Sequence, residues 1–129
     1  MTRVTIFHNV TRNEEGRLVN FDRYATGAPL VRVFAYDSFR ADSAEKLAEN
    51  AFYLFNVDPC FMQPDDYEIA RSYRDRGLRS VSVGDVIMVG GAAFTVERTG
   101  FGALDTGQLN EVHEEHYGTI PLRPDEQTP

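Results

Sequence analysis

The sequence predicts an α+β domain, a small and mainly antiparallel sheet packed by one main helix and one short helix. Three observations carry that prediction. Val4, Ile6 and Val10 alternate with Thr5, Phe7 and Asn9 near the start, with His8 on the Val4 and Ile6 side. Ala44, Leu47, Ala48, Ala51, Leu54 and Phe55 recur at helical spacing in the middle. Val86-Ile87-Met88-Val89 and Ala93-Phe94-Thr95-Val96 flank Gly90-Gly91, as two strands around a tight turn do.

The first strand ends at the polar run Thr11-Arg12-Asn13-Glu14-Glu15-Gly16, and Leu18, Val19, Phe21 and Tyr24 supply a short extended piece before Thr26-Gly27-Ala28-Pro29. From Leu30 to Tyr36, Val31, Val33 and Ala35 alternate with Arg32, Phe34 and Tyr36, so the first set is expected to face the core and the aromatic set to be partly covered. Asp42 or Ser43 caps the main helix, with Glu45 placed to complete a capping box with Asp42, and Asn56-Val57-Asp58-Pro59 stops it. A shorter helix starts near Pro64, carries Asp65, Asp66 and Glu68 in its first turn, and ends with Arg74, Arg76 and Gly77.

A two-residue turn at Gly90-Gly91 sets Val89 opposite Ala92, Met88 opposite Ala93 and Ile87 opposite Phe94. Ile87, Val89, Phe94 and Val96 then share the core face, while Val86, Met88, Thr95 and Glu97 form a more mixed face against which a helix could still pack. Gly84 suits a positive backbone torsion, and Asp85 is placed to accept backbone amide hydrogen bonds in the turn before the hairpin. Phe101 is expected to plug the core after Thr99-Gly100. A single domain over 1–118 and a disordered, proline-bearing tail over 119–129 complete the organisation.

Composition narrows function by exclusion. The 129 residues hold one core's worth of apolar side chains, 42% hydrophobic, and one cysteine, Cys60, which has no internal disulfide partner. The formal net charge of −7 opposes non-specific attraction to nucleic acid, so nucleic acid is not expected as a partner. No membrane-length apolar stretch occurs and the first residues lack a secretory core, which predicts a cytoplasmic protein with no membrane partner. Lys46 is the only lysine beside many arginines, a bias read as GC-rich coding.

Chemistry-bearing residues are few, and no cofactor is expected. His113-Glu114-Glu115-His116 pairs two histidines with carboxylates, but the histidines stand three apart where the zincin motif needs four, so His113 and His116 are weak metal candidates against a solvated acidic segment. A small metal-dependent enzyme using His113, Glu114 and His116, with His8, is the alternative function. Cys60 lies beside Asp58, which raises a thiol pKa, and is expected to be a buried or half-buried structural residue. Neither Gly90-Gly91 nor Gly100-Phe101-Gly102 is followed by the lysine of a phosphate loop. Phe52 and Phe55 belong to the helix stripe, leaving Tyr53 as an exposed aromatic. Arg71, Tyr73, Arg74, Arg76 and Arg79 make the one concentrated basic patch and the candidate partner-binding surface, weighed against simple charge complementarity at a helix C-terminus.

Ser80-Val81-Ser82-Val83-Gly84-Asp85-Val86-Ile87, with Phe94-Thr95-Val96 and Gly100-Phe101, resembles the YodL-like domain family, whose pattern is a Ser-Leu-Ser-x-x-Asp-Val/Ile-Val run, an aromatic second strand and a Gly-Phe or Gly-Trp. Upstream, Ala51-Phe52-x-Leu54-Phe55-Asn56-Val57, Pro64-Asp65 and Tyr73-Arg74-x-Arg76-Gly77-x-Arg79-Ser80 are similar to small actinobacterial proteins with that domain, so the resemblance spans about 42–104. Val81 stands where leucine is usual, and Ala92-Ala93-Phe94 where paired aromatics are common; both changes conserve packing. The resemblance implies a protein of phages, plasmids or integrative elements, and it brings no catalytic residues. The expected function is a non-enzymatic accessory protein that binds a host or element-encoded protein, counter-defence being one form of that role.

Overall fold

A computed structural model describes residues 1–13, 15 and 22–113. Strands β1 (Thr2–Asn9) and β2 (Pro29–Ser38) come first, then helix α1 (Ala44–Asn56), a 3-10 turn at Pro59–Phe61 and helix α2 (Pro64–Asp75). Strands β3 (Val86–Val89), β4 (Ala92–Val96) and β5 (Phe101–Leu104) follow, then a second 3-10 turn at Thr106–Gln108 and strand β6 (Asn110–Val112). The six strands form one sheet in the order β5-β4-β3-β1-β2-β6, antiparallel throughout except for the parallel β2–β6 pair. The fold is therefore α+β as expected. Among the described residues no helix is long and apolar enough to cross a membrane.

The hairpin has the expected register. Val89 faces Ala92, Met88 faces Ala93 and Ile87 faces Phe94, with Gly90 at φ 58°. Ile87, Val89 and Val96 are buried in the larger core cluster and Phe94 packs against it. Helix α1 lies on this face with Leu47, Ala48, Ala51, Leu54 and Phe55 buried. Its cap is Ser43, whose Oγ accepts from the Lys46 amide at 3.2 Å; Asp42 and Glu45 make no capping box.

In β2 a bulge revises the expected facing. Ile6 pairs with Phe34 and Phe7 with Arg32, leaving Val33 as the extra residue. Beyond it the alternation shifts by one, and Phe34 and Tyr36 turn towards the helices beside Val31 and Val33. The aromatic set is thus core. Phe34 meets Phe55 and Tyr73 edge-on at 5.5 and 5.4 Å, Tyr36 meets Phe55 at 5.7 Å, and Phe55 stacks on Tyr73 at 4.2 Å.

The second sheet face carries a smaller cluster of Phe7, Tyr24, Leu30, Val86 and Ala93, with Met88, Leu104 and Leu109 against it. No described helix packs there. Tyr24 closes this face from the segment before β2: its amide donates to Thr95 Oγ1 at 2.7 Å, and its hydroxyl donates to the Ala28 carbonyl at 2.7 Å and accepts from the Asn110 amide at 3.1 Å. The hydroxyl therefore ties the segment before β2 to the start of β6. Strands β5 and β6 are additions to the elements read from the sequence. Phe101, the expected plug, opens β5 and is half-buried edge-on to Phe52 at 6.1 Å. The extended piece expected around Leu18, and the tail over 119–129, lie outside the described residues.

Two predictions follow from the aromatic cluster. Phe55→Ala removes the ring that touches Phe34, Tyr36 and Tyr73, and is expected to cost about 3–5 kcal/mol in urea unfolding. Burial, followed by the nearby Asp66 carboxylate, pushes the Tyr36 hydroxyl well above its ordinary pKa of 10.0, with Arg40 partly opposing. The unfolded chain then loses the Tyr36 proton first. Stability from this group is complete below about pH 10 and falls as pH rises from there towards the folded pKa. The urea midpoint of Tyr36→Phe should consequently fall less steeply above about pH 10 than that of the parent chain.

Candidate interaction surface

The segment from Arg71 to Asp85 leaves α2, turns at Gly77 (φ 71°) and delivers the chain to β3. Its side chains divide into an inner and an outer set. At the centre of the inner set is Asp85, 1% exposed. Its Oδ1 accepts from the Asn9 amide at 2.8 Å and from Arg79 Nη2 at 2.8 Å. Its Oδ2 accepts from the Ser82 amide at 2.8 Å and from Arg79 Nη1 at 2.7 Å. A buried carboxylate is tolerated only when paired and hydrogen-bonded, and here a bidentate guanidinium and two backbone amides meet that need. Gly84, at φ 90°, gives the chain the conformation that presents Asp85 inward, and its carbonyl accepts from Asn9 Nδ2 at 3.1 Å. The roles expected for Gly84 and Asp85 in the turn are those observed.

Arg79 therefore leaves the candidate surface: its side chain is 11% exposed and committed to Asp85. Tyr73 leaves it as well. It is 1% exposed, stacked on Phe55, and its hydroxyl donates to the Arg79 carbonyl while lying 2.7 Å from His8 Nε2. With the hydroxyl proton directed at Arg79, Nε2–H of His8 is the donor in that second bond. Helical periodicity explains the correction, since Tyr73 lies three residues after Ala70 on the stripe of α2 that meets α1. His8 is a fully buried core residue, 0% exposed, with Nε2 engaged by the Tyr73 hydroxyl.

Arg71, Arg74 and Arg76 form the outer set and are exposed. Arg71 Nη1 donates to Tyr67 Oη at 2.9 Å, and Arg71 pairs with Asp75 at 3.4 Å. Arg76 lies over the Phe34 ring at 5.9 Å. Arg74 Nη2 donates to the Val57 carbonyl at 2.8 Å, which brings the last turn of α2 onto the end of α1. Tyr53 and Val57 are 40% and 38% exposed there, and Phe61 on the 3-10 turn is 85% exposed. Exposed arginines and exposed apolar side chains thus occur together where Arg74 reaches Val57 at the ends of α1 and α2.

Cys60 belongs to the same turn and is exposed, where a buried or half-buried position was expected. Proline at the start of a three-residue turn leaves too little structure to cover it. The Asp58 carboxylate accepts from the Cys60 amide at 3.0 Å, and its hydrogen bond with the thiol raises the thiol pKa, which disfavours the nucleophilic thiolate. Asn56 fixes the approach to β3 from the other side: its side chain donates to the Val81 carbonyl at 2.8 Å and accepts from the Val81 amide at 2.9 Å.

His113 follows β6 and is exposed; Glu114, Glu115 and His116 lie outside the described residues. Among the described residues no three His, Cys, Asp or Glu side chains are grouped to hold a metal. Comparison of the chain with protein-family models, with curated proteins and with solved structures finds no match.

The two sets of arginines make opposite predictions for stability. Arg79→Ala leaves Asp85 buried without its partner and is expected to cost about 3–5 kcal/mol. Arg71→Ala and Arg74→Ala are each expected to stay within about 0.5 kcal/mol of the parent chain, measured by the same urea unfolding.

Proposed function

We propose that this chain is a cytoplasmic, non-enzymatic accessory protein of a phage, plasmid or integrative element, acting by binding a host or element-encoded protein. Counter-defence is one form of that role. The observation that carries the reading is the contact of Arg74 with Val57, between two helix ends whose neighbouring positions Tyr53, Phe61 and Arg71 are exposed. Arginine and aromatic side chains dominate binding energy at protein interfaces, because they combine large contact area with directional hydrogen bonding. Three exposed apolar side chains in one place also give up little solvation when covered. Nothing in the inner set competes with this reading: Arg79, Asp85, Tyr73 and His8 are engaged with one another or with the backbone. The resemblance of the sequence over about 42–104 to the YodL-like pattern is what suggests the mobile-element setting, and it brings no catalytic residue.

The test is affinity recovery from a GC-rich bacterial host, comparing the parent chain with Arg71→Ala/Arg74→Ala and with Phe61→Ser. Loss of a central interface residue removes about 2 kcal/mol or more, so a specific partner should be recovered roughly thirtyfold less by each variant. Melting temperatures are expected to match the parent. A partner recovered equally by all three proteins would remove this surface from consideration.

A further inference from the structure

Towards the N-terminal end of α2 a cleft of about 600 Å3 opens between the end of β2, the residues after it, Asn50 of α1 and the first turns of α2. Its walls carry four carboxylates, Asp37, Asp65, Asp66 and Glu68, against one cation, Arg40. Asp37 is engaged by Arg3 at 3.0 Å, and Arg40 reaches Asp66 at 2.9 Å. Asp66 is the more enclosed member of that pair, its side chain 15% exposed against 46% for Arg40. Ile69 gives the cleft a half-buried apolar wall, and Phe39 stands at its edge 83% exposed.

Tyr36 also lines the cleft. The residue is 8% exposed and its hydroxyl has no hydrogen-bond partner among the described residues. Buried polar groups in folded proteins are ordinarily paired, so an orphan hydroxyl beside a charged cleft calls for a partner that the described residues do not supply. Tyrosine oxygen can accept a hydrogen bond from a cation, and Asp66 can pair with its charge. Arg40 demonstrates the second half of that chemistry, since a guanidinium already rests on Asp66. The carboxylates do not gather into a set of three suited to a metal ion, which favours an extended organic cation over a bare one.

We propose that this cleft binds a ligand carrying one guanidinium or primary ammonium group on an apolar stem. The cation displaces Arg40 from Asp66 and donates to the Tyr36 hydroxyl, while the stem lies against Ile69 and Phe39. The site is independent of the surface around Arg74. The same chemistry is offered by a free small amine or guanidine and by a lysine or arginine side chain of a partner. The volume is within the range of small-ligand pockets.

The experiment is an amide NMR titration of the full chain with n-butylguanidine, with a capped Gly-Gly-Arg-Gly-Gly peptide and with calcium chloride at constant ionic strength. Saturable shifts confined to the cleft are expected with n-butylguanidine or the peptide, and the one that saturates at lower concentration identifies the source. Tyr36→Phe should weaken binding about tenfold without lowering the melting temperature, because it removes a hydroxyl that is unpaired in the free protein. Arg40→Ala should strengthen it about tenfold by removing the internal competitor, and Asp66→Asn should abolish it. A merely structural Tyr36 or Arg40 would not move affinity in these opposite directions. Absence of saturable shifts with either organic cation, equal shifts with calcium, or parent-like affinity in Tyr36→Phe and Arg40→Ala would each overturn the proposal.

Discussion

Four donors from three parts of the chain converge on the Asp85 carboxylate: the Asn9 amide at the end of β1, the Ser82 amide, and both terminal nitrogens of Arg79. A carboxylate at 1% exposure has lost its water and must be repaid in hydrogen bonds and opposite charge, so each donor is obligatory. Satisfying it draws the loop after α2 against the end of β1 and sets the angle at which β3 enters the sheet beside β1. Much of the molecule hangs from that geometry. The Tyr73 hydroxyl binds the carbonyl of Arg79 itself, and Asn56 clasps Val81, so both helices are tied to the same short segment.

This node separates two uses of arginine that look alike in sequence. Arg79 is four-fifths enclosed or more and spends its planar fork on one carboxylate, a geometry lysine could not reproduce. Arg71 and Arg74 are anchored only by single bonds to Tyr67 and Val57 and by one exposed ion pair, contacts that orient a side chain while leaving most of it open. The basic cluster is consequently smaller at the surface than it is in the sequence. What is exposed alongside the remaining members is apolar: Val57, which Arg74 reaches directly, Tyr53 one turn earlier on α1 and Phe61 on the 3-10 turn.

Asp85 and Tyr36 illustrate opposite ways of burying a polar group. Asp85 has every oxygen occupied by the fold, and its role ends in architecture. The Tyr36 ring serves the core while its hydroxyl has no hydrogen-bond partner among the described residues, at an acidic cleft. The bulge at Val33 causes this, because it rotates Tyr36 from the outer face of β2 to the helical face, where the ring meets Phe55 and the hydroxyl approaches Asp66 and Arg40.

The sequence by itself determined the elements whose signals are local. Gly90-Gly91 dictated the hairpin register, Pro64 and Gly77 bounded α2, and the Leu47-to-Phe55 stripe dictated the buried face of α1, because turn torsions, missing amide donors and helical period act within a few residues. The amide-accepting role of Asp85 was legible from its place after Gly84, whereas its burial and its pairing with Arg79 were not. Tertiary structure alone decided whatever depended on a distant partner. Asn9 and Arg79 are separated by some seventy residues and meet at Asp85, where Arg79 Nη2 also donates directly to the Asn9 carbonyl at 3.4 Å. Tyr73 read as a surface residue because its neighbours are arginines, and it became core because Phe34 and Phe55 required a ring there. The Val33 bulge left no sequence mark, and the short strands β5 and β6 carry too few apolar residues to announce themselves; β6 exists because Pro29 to Val31 offers it a parallel edge. Patterns report which side chains must be buried, whereas the sheet's pairing decides which of them meet and which polar groups remain at the surface to act.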